Sequence, residues 1–147
     1  MRISSRAIIF KDNKVVLIYR KRDYQEYFVF PGGKVEDGET NEECVIRECK
    51  EELGIDIKPI KYIYEVKGPD FIQHFFLCEW ISGVLGTGDK EEYDVNRQGG
   101  VQIPMLIDIE SLKKLNIVSP EIIAELCIDI NKFGLNLDDN VKTIIEK

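Results

Sequence analysis

The feature that most restricts the fold of this chain is a short apolar segment, Tyr27-Phe28-Val29-Phe30, halted by Pro31-Gly32-Gly33 and followed within a few residues by a capped helix. Proline cannot donate to a β ladder, so a strand here ends at Phe30. Thr40 with Glu43 forms a capping box that starts a helix, which runs to Leu53 and stops at Gly54. Pro31 to Glu39 reads as a glycine-rich loop between the two elements.

Strand patterns flank this unit. Arg6 to Phe10 and Val15 to Arg20, joined by the polar turn Lys11-Asp12-Asn13-Lys14, predict an opening hairpin. Ile55 to Lys67 and Phe71 to Ile81 predict longer strands about the turn Gly68-Pro69-Asp70, and Val101 to Ile107 predicts another. Helical spacing recurs over Ile109 to Leu115 and Pro120 to Phe133, with Ser119 as cap and Pro120 in the first turn. Ser82 to Gly100 carries five glycines and several charges and reads as a long loop, while the residues after Phe133 show no assignable pattern. Strands, then a helix, then strands and a further helix indicate an α+β fold with a mixed sheet, and 147 residues suit a single domain over 1–147.

Charge narrows the partners. With 27 acidic against 20 basic residues the net charge is -7, which disfavours polymeric nucleic acid or a membrane surface as partner. An anionic ligand would need a bridging cation. No apolar run approaches the roughly 20 residues of a membrane span, and Met1 to Phe10 lacks a signal-peptide core, so a cytoplasmic protein is expected. Cys44, Cys49, Cys78 and Cys127 form no CxxC pair and, with the single His74, match no zinc spacing; reduced and mostly buried thiols are expected.

The helix divides its residues by face. Val45, Ile46, Cys49 and Leu53 share a stripe expected to be buried, and Glu48, Glu51 and Glu52 share the neighbouring arc. Carboxylates so stacked repel by a few tenths of a kcal/mol per pair. Such an arc is either a solvated acidic face or a site for a hard divalent cation such as magnesium, which binds a few carboxylates together with substrate phosphates. Arg47 sits inside the group, placed to pair with Glu51 or Glu43, and Gly32 and Gly33 let backbone approach a ligand closely. Together these favour a built site.

Read continuously, Gly33, five residues, Glu39, seven residues, then Arg47-Glu48-Cys49-Lys50-Glu51-Glu52-Leu53-Gly54-Ile55 resembles the signature of the Nudix hydrolase family. Cys49 is the one departure, standing where the family usually has an aliphatic residue. The resemblance implies an α/β/α sandwich with a mixed central sheet and hydrolysis of a small nucleoside diphosphate linked to another group, by water attack on phosphorus. It implies Mg2+ or Mn2+ held by Glu48, Glu51 and Glu52, with a backbone carbonyl of Gly32 or Gly33 as a further ligand. Arg47 would orient a carboxylate and Glu39 would tie loop to helix. The general base is left open between the helix carboxylates Glu51 and Glu52 and a loop carboxylate, for which Glu92, with Glu91 and Asp94, is the candidate.

Substrate recognition lies outside the signature. Tyr24, Tyr27, Phe28, Phe71 and Phe75 offer rings for a base, though alternate aromatics on strands also make cores. Pro69 falls near where the ADP-ribose-cleaving subgroup carries a proline, but beside Gly68 it makes an ordinary turn. The alternative to an enzyme is a non-catalytic Nudix-fold module that binds a nucleotide; the presence of all three glutamates favours catalysis. Ile103, Met105 and Ile107 would serve a homodimer interface as well as a core.

Overall fold

The computed structural model describes residues 1–88 and 100–146. Its elements run β1 (Arg2–Lys11), β2 (Lys14–Arg22), β3 (Gln25–Val29), β4 (Gly32–Lys34), α1 (Asn41–Leu53), β5 (Ile55–Lys67), β6 (Phe71–Gly83), β7 (Val101–Asp108), a 3-10 turn (Ile109–Lys114), α2 (Pro120–Phe133), a short 3-10 turn (Gly134–Asn136) and β8 (Lys142–Ile145). Among the described residues the strands join in the order β3-β2-β1-β6-β5-β8, with β4 added to β1 and β7 to β2.

The sheet is mixed. The β1–β2 hairpin pairs only Phe10 with Val15 and Lys11 with Lys14. Beyond that base β1 leaves β2 and runs parallel to β6, from Arg2 opposite Phe71 to Ile9 opposite Cys78. Its other edge takes β4 antiparallel, placing Arg6 opposite Gly32 and Ser5 opposite Gly33. The expected glycine-rich loop therefore contains a short strand, made by pairing with residues far away in the chain.

Strand alternation sends successive side chains to opposite faces, which builds two cores. Ala7, Ile9, Val16, Ile18, Phe76 and Cys78 face α1 and pack on its Val45, Cys49 and Leu53. Ile8, Leu17, Phe75 and Leu77 face the other way and pack on Ile122, Ile123 and Leu126 of α2. The result is the α/β/α layering of an α+β fold. Cys44, Cys49 and Cys78 are buried and Cys127 is partly so; all four are free thiols. Among the described residues no helix is long and apolar enough to cross a membrane.

Four local expectations are corrected. Ile46 is 41% exposed, and Cys44 is buried in its place, because β4 lies over that side of α1 and the Cys44 thiol meets the Gly33 and Lys34 carbonyls. Ile109 to Leu115 coils as a 3-10 turn rather than an α-helix. Ser119 precedes α2 with φ 67° and gives it no side-chain cap. The tail after Phe133 forms β8, parallel to β5 from Lys142 opposite Tyr64 to Ile145 opposite Lys67. Of the three residues considered for an interface, Ile107 packs on the core and Ile103 is exposed.

Candidate active site

Thr40 starts α1 as its composition demands: its hydroxyl accepts from the Glu43 N–H at 3.1 Å, and the Glu43 carboxylate accepts from the Thr40 N–H at 3.0 Å. That cap fixes where the helix begins, and so fixes which of its residues meet β4. Glu48 and Glu52, one turn apart, turn toward the Gly32–Gly33 backbone. Gly32 donates its N–H to Glu52 Oε1 at 2.8 Å. Its φ of +144° and the carbonyl of Ser5, 2.0 Å from where a Cβ would sit, exclude any side chain there. At Gly33 a Cβ would lie 2.7 Å from the Glu48 carboxylate.

Burial sets the electrostatics. Glu52 is only 6% exposed and its pKa is pushed up to about 8, first by desolvation; the Gly32 N–H opposes the shift, the Glu48 charge adds to it, and Arg6 and Arg20 oppose it. Glu48 is also raised by burial, an effect that its hydrogen bond from Arg47 offsets in part. Arg20 Nη2 stands 3.7 Å from Glu52 Oε2, and among the described residues the buried Arg20 Nε has no hydrogen-bond acceptor. Arg6 Nη1 donates to the carbonyls of Phe30 and Gly32, both at 3.1 Å.

Arg47 is the hub on the outer side. It grips Glu39 with two nitrogens, Nε at 2.7 Å and Nη2 at 3.0 Å, and reaches Glu48 at 2.9 Å and Glu51 at 3.4 Å through Nη1. The bidentate grip holds Glu39 down at about 2. Of the two partners expected for Arg47, Glu51 is the weaker contact made and Glu43 is spent on the helix cap. Glu39 accepts from the Glu36 N–H as well, which ties the loop to the helix. Glu51 is half exposed. The loop candidate Glu92, with Glu91 and Asp94, lies outside the described residues.

Among the described residues no three His, Cys, Asp or Glu side chains converge as a preformed metal cluster. What the fold does bring together is a pair, Glu48 and Glu52, set against one glycine backbone. Two hard oxygen donors in mutual repulsion fit a magnesium-type ion, which takes one or two carboxylates and completes its shell with water and substrate phosphate.

Beside Arg20 the site opens outward. Tyr27 of β3 and Gln102 of β7 sit opposite Arg20 across β2 and share its face. A cleft of about 530 Å³ follows, lined by Arg22, Gln25, Tyr27, Asn116 and Val118. Of the other rings considered, Phe75 is buried in the core, Phe28 and Phe71 pack against it, and Tyr24 is fully exposed. His74 on β6 sits with Nδ1 2.6 Å from the Tyr62 hydroxyl, away from this cleft's lining. Arg6 and Arg20 were missed in the sequence; each has one apolar neighbour on its own strand face, Ile8 and Ile18, and one polar neighbour, Ser4 and Arg22, so the alternation carried no clear signal.

Comparison with known proteins adds to this geometry. A family model described as the NUDIX domain matches residues 1–125. An ADP-ribose pyrophosphatase of Methanocaldococcus jannaschii is 41% identical over 101 residues, covering 61% of this chain and 60% of that protein. The NAD-capped RNA hydrolase NudC of Vibrio atlanticus is 37% identical over 85 residues, covering 56% of this chain and 32% of that one. The chain thus spans between about a third and three fifths of the length of these curated relatives. A crystal structure of an ADP-ribose pyrophosphatase from Streptococcus suis superposes with TM-score 0.67 at 18% identity, covering 99% of this chain and 98% of that one. A NUDIX hydrolase from Nitrosomonas europaea gives TM-score 0.75 at 16% identity, over 99% and 79% of the two chains.

Proposed function

We propose that this chain, which belongs to the Nudix hydrolase family, is a divalent-metal-dependent pyrophosphohydrolase that cleaves a nucleoside diphosphate linked to a sugar, ADP-ribose being the first compound to try. The observation that carries this reading is the pair Glu48 and Glu52 set against the Gly32–Gly33 backbone. The choice of ADP-ribose rests on the name of the Methanocaldococcus relative.

Glu48 and Glu52 would hold Mg2+ or Mn2+, with Glu51 at the solvent side and the Gly32 carbonyl within the same backbone turn. When bound, the dication would act as a Lewis acid and lower the pKa of a water molecule. The protein's own residues do the rest. Gly32 and Gly33 let the β4 backbone lie directly against Ser5 and the Glu48 carboxylate, where any side chain would collide. Arg20, whose Nε lacks an acceptor, donates to a phosphate oxygen. Arg47 orients Glu48 by the 2.9 Å hydrogen bond and is itself locked by Glu39. Glu52 is held by its Oε1 on the Gly32 N–H, which fixes its carboxylate against the β4 backbone. The cleft at Tyr27, Arg22 and Asn116 receives the nucleoside end. Glu92 stands as the alternative general base.

The test is a screen of ADP-ribose, other nucleotide sugars and modified nucleoside triphosphates with Mg2+ or Mn2+, with and without chelator, in which the nucleoside monophosphate product is separated and quantified by chromatography. Turnover that needs metal, and that drops by orders of magnitude in Glu52→Gln with an unchanged circular dichroism spectrum, is the expected outcome. Tight binding of these compounds with no turnover would replace the enzyme by a nucleotide-binding module.

A further inference from the structure

We propose that Arg6 is a resident cation of this site: its guanidinium, fixed on the carbonyl of Gly32 whose N–H holds Glu52, stays beside the Glu48–Glu52 pair and limits how tightly a divalent cation binds there. The inference rests on the metal reading of the pair above and goes beyond it, because Arg6 lies outside the signature.

The geometry is a relay through one residue. Gly32 receives Arg6 Nη1 on its carbonyl at 3.1 Å and gives its N–H to Glu52 at 2.8 Å, so cation and carboxylate are clamped to the same glycine. Strand register makes the clamp rigid, since Arg6 pairs with Gly32 across β1–β4 and with Phe75 across β1–β6. A second carbonyl, that of Phe30, takes the same nitrogen. A charge placed on a two-sided strand and tied by two carbonyls cannot swing out to solvent as a surface arginine does. Through that shared glycine the guanidinium stands beside Glu52.

Arg20 also faces Glu52, but at 3.7 Å and from a partly exposed side chain free to turn toward a substrate. The two cations therefore divide the work. Arg6 is a positioning residue that stays, and Arg20 is a donor that can be recruited. Without Arg6 the carbonyls of Phe30 and Gly32 would lose their donor, which costs stability before any metal arrives. Once a dication is seated, the guanidinium becomes a neighbour of like sign. Removing Arg6 relieves that repulsion, so a divalent cation should bind more tightly.

The experiment compares the wild-type chain with Arg6→Met, Arg6→Lys and Arg20→Met, without substrate. Mn2+ affinity is read by electron paramagnetic resonance and melting is followed in chelator and in saturating Mn2+. Arg6→Met should bind Mn2+ about tenfold tighter and melt lower than wild type in chelator, with the gap narrowing in Mn2+. Arg6→Lys should stay near wild type in affinity, and Arg20→Met should shift less than Arg6→Met. Unchanged or weaker Mn2+ affinity in Arg6→Met would overturn the inference and reduce Arg6 to a packing residue. If Arg6→Met is unfolded in chelator, recovery of its circular dichroism on titration with Mn2+ supports the inference, and failure to recover at saturation counts against it. A wild-type chain that binds no Mn2+ would instead overturn the metal site itself.

Discussion

Glu52 is where the demands of folding and of chemistry diverge. Its folded pKa of about 8 lies above the ordinary 4.5, so as pH rises the unfolded chain releases this proton first. Below pH 4.5 both states hold the proton and the residue is neutral in its effect. Across the window from 4.5 to about 8 the metal-free protein loses stability. Glu52→Gln keeps an oxygen for the Gly32 N–H but has nothing to ionise. In chelator at pH 8 it should be more stable than wild type by on the order of 3 kcal/mol, with little difference at pH 4.5, measured by urea titration at both pH values. Gly33 makes the complementary point. Gly33→Ala sets a methyl 2.7 Å from the Glu48 carboxylate, so metal-dependent turnover should fall by roughly 10–100-fold while the circular dichroism spectrum holds. The glutamates and glycines were legible because their spacing along one helix and one turn is local. Arg6 and Arg20 were not, because what makes them part of the site is contact with Gly32 and Glu52 from other elements.

Helix α1 shows how far local signals reach. Its start, its stop and its capping box were all readable, since each is written within a few residues. Its rotation was not: Cys44 and Glu52 are buried and Ile46 is exposed, because the covering element is β4 and that strand exists only by pairing with β1. Periodicity alone gives the width of a buried stripe but leaves its edges to whatever packs there. Thr40→Ala removes one partner of the capping box and should cost about 1 kcal/mol, lowering the melting temperature by roughly 2–4 °C, with kcat/KM for the metal-dependent reaction unchanged. A fall in turnover at constant stability would mean that the cap also sets the angle of Glu48 and Glu52.

The C-terminal tail is pinned to the middle of the chain. Asp129 of α2 is fully buried and is held by the Tyr64 hydroxyl of β5 and by Lys142 of β8, both at 2.5 Å, so the tail that had no readable pattern serves as a clasp across helix and sheet. Its partner is a single lysine late in the chain, which leaves no periodic signal to read. Lys142→Met should strip Asp129 of its cation and destabilise the protein by on the order of 2 kcal/mol in urea titration, with the Glu48–Glu52 pair untouched. The lysine's pKa is raised by the pair, so its contribution is whole below the ordinary value near 10.5 and is lost as pH climbs through the raised one. The parallel seam between β1 and β6 carries a further consequence for biosynthesis. A ribosome delivers Arg6, Gly32 and Glu52 well before it delivers Phe75, the residue that seats Arg6 from the far side. The emerging N-terminal half must therefore hold its acidic helix and its glycine turn in an unfinished state until the late strand slots in beside the first.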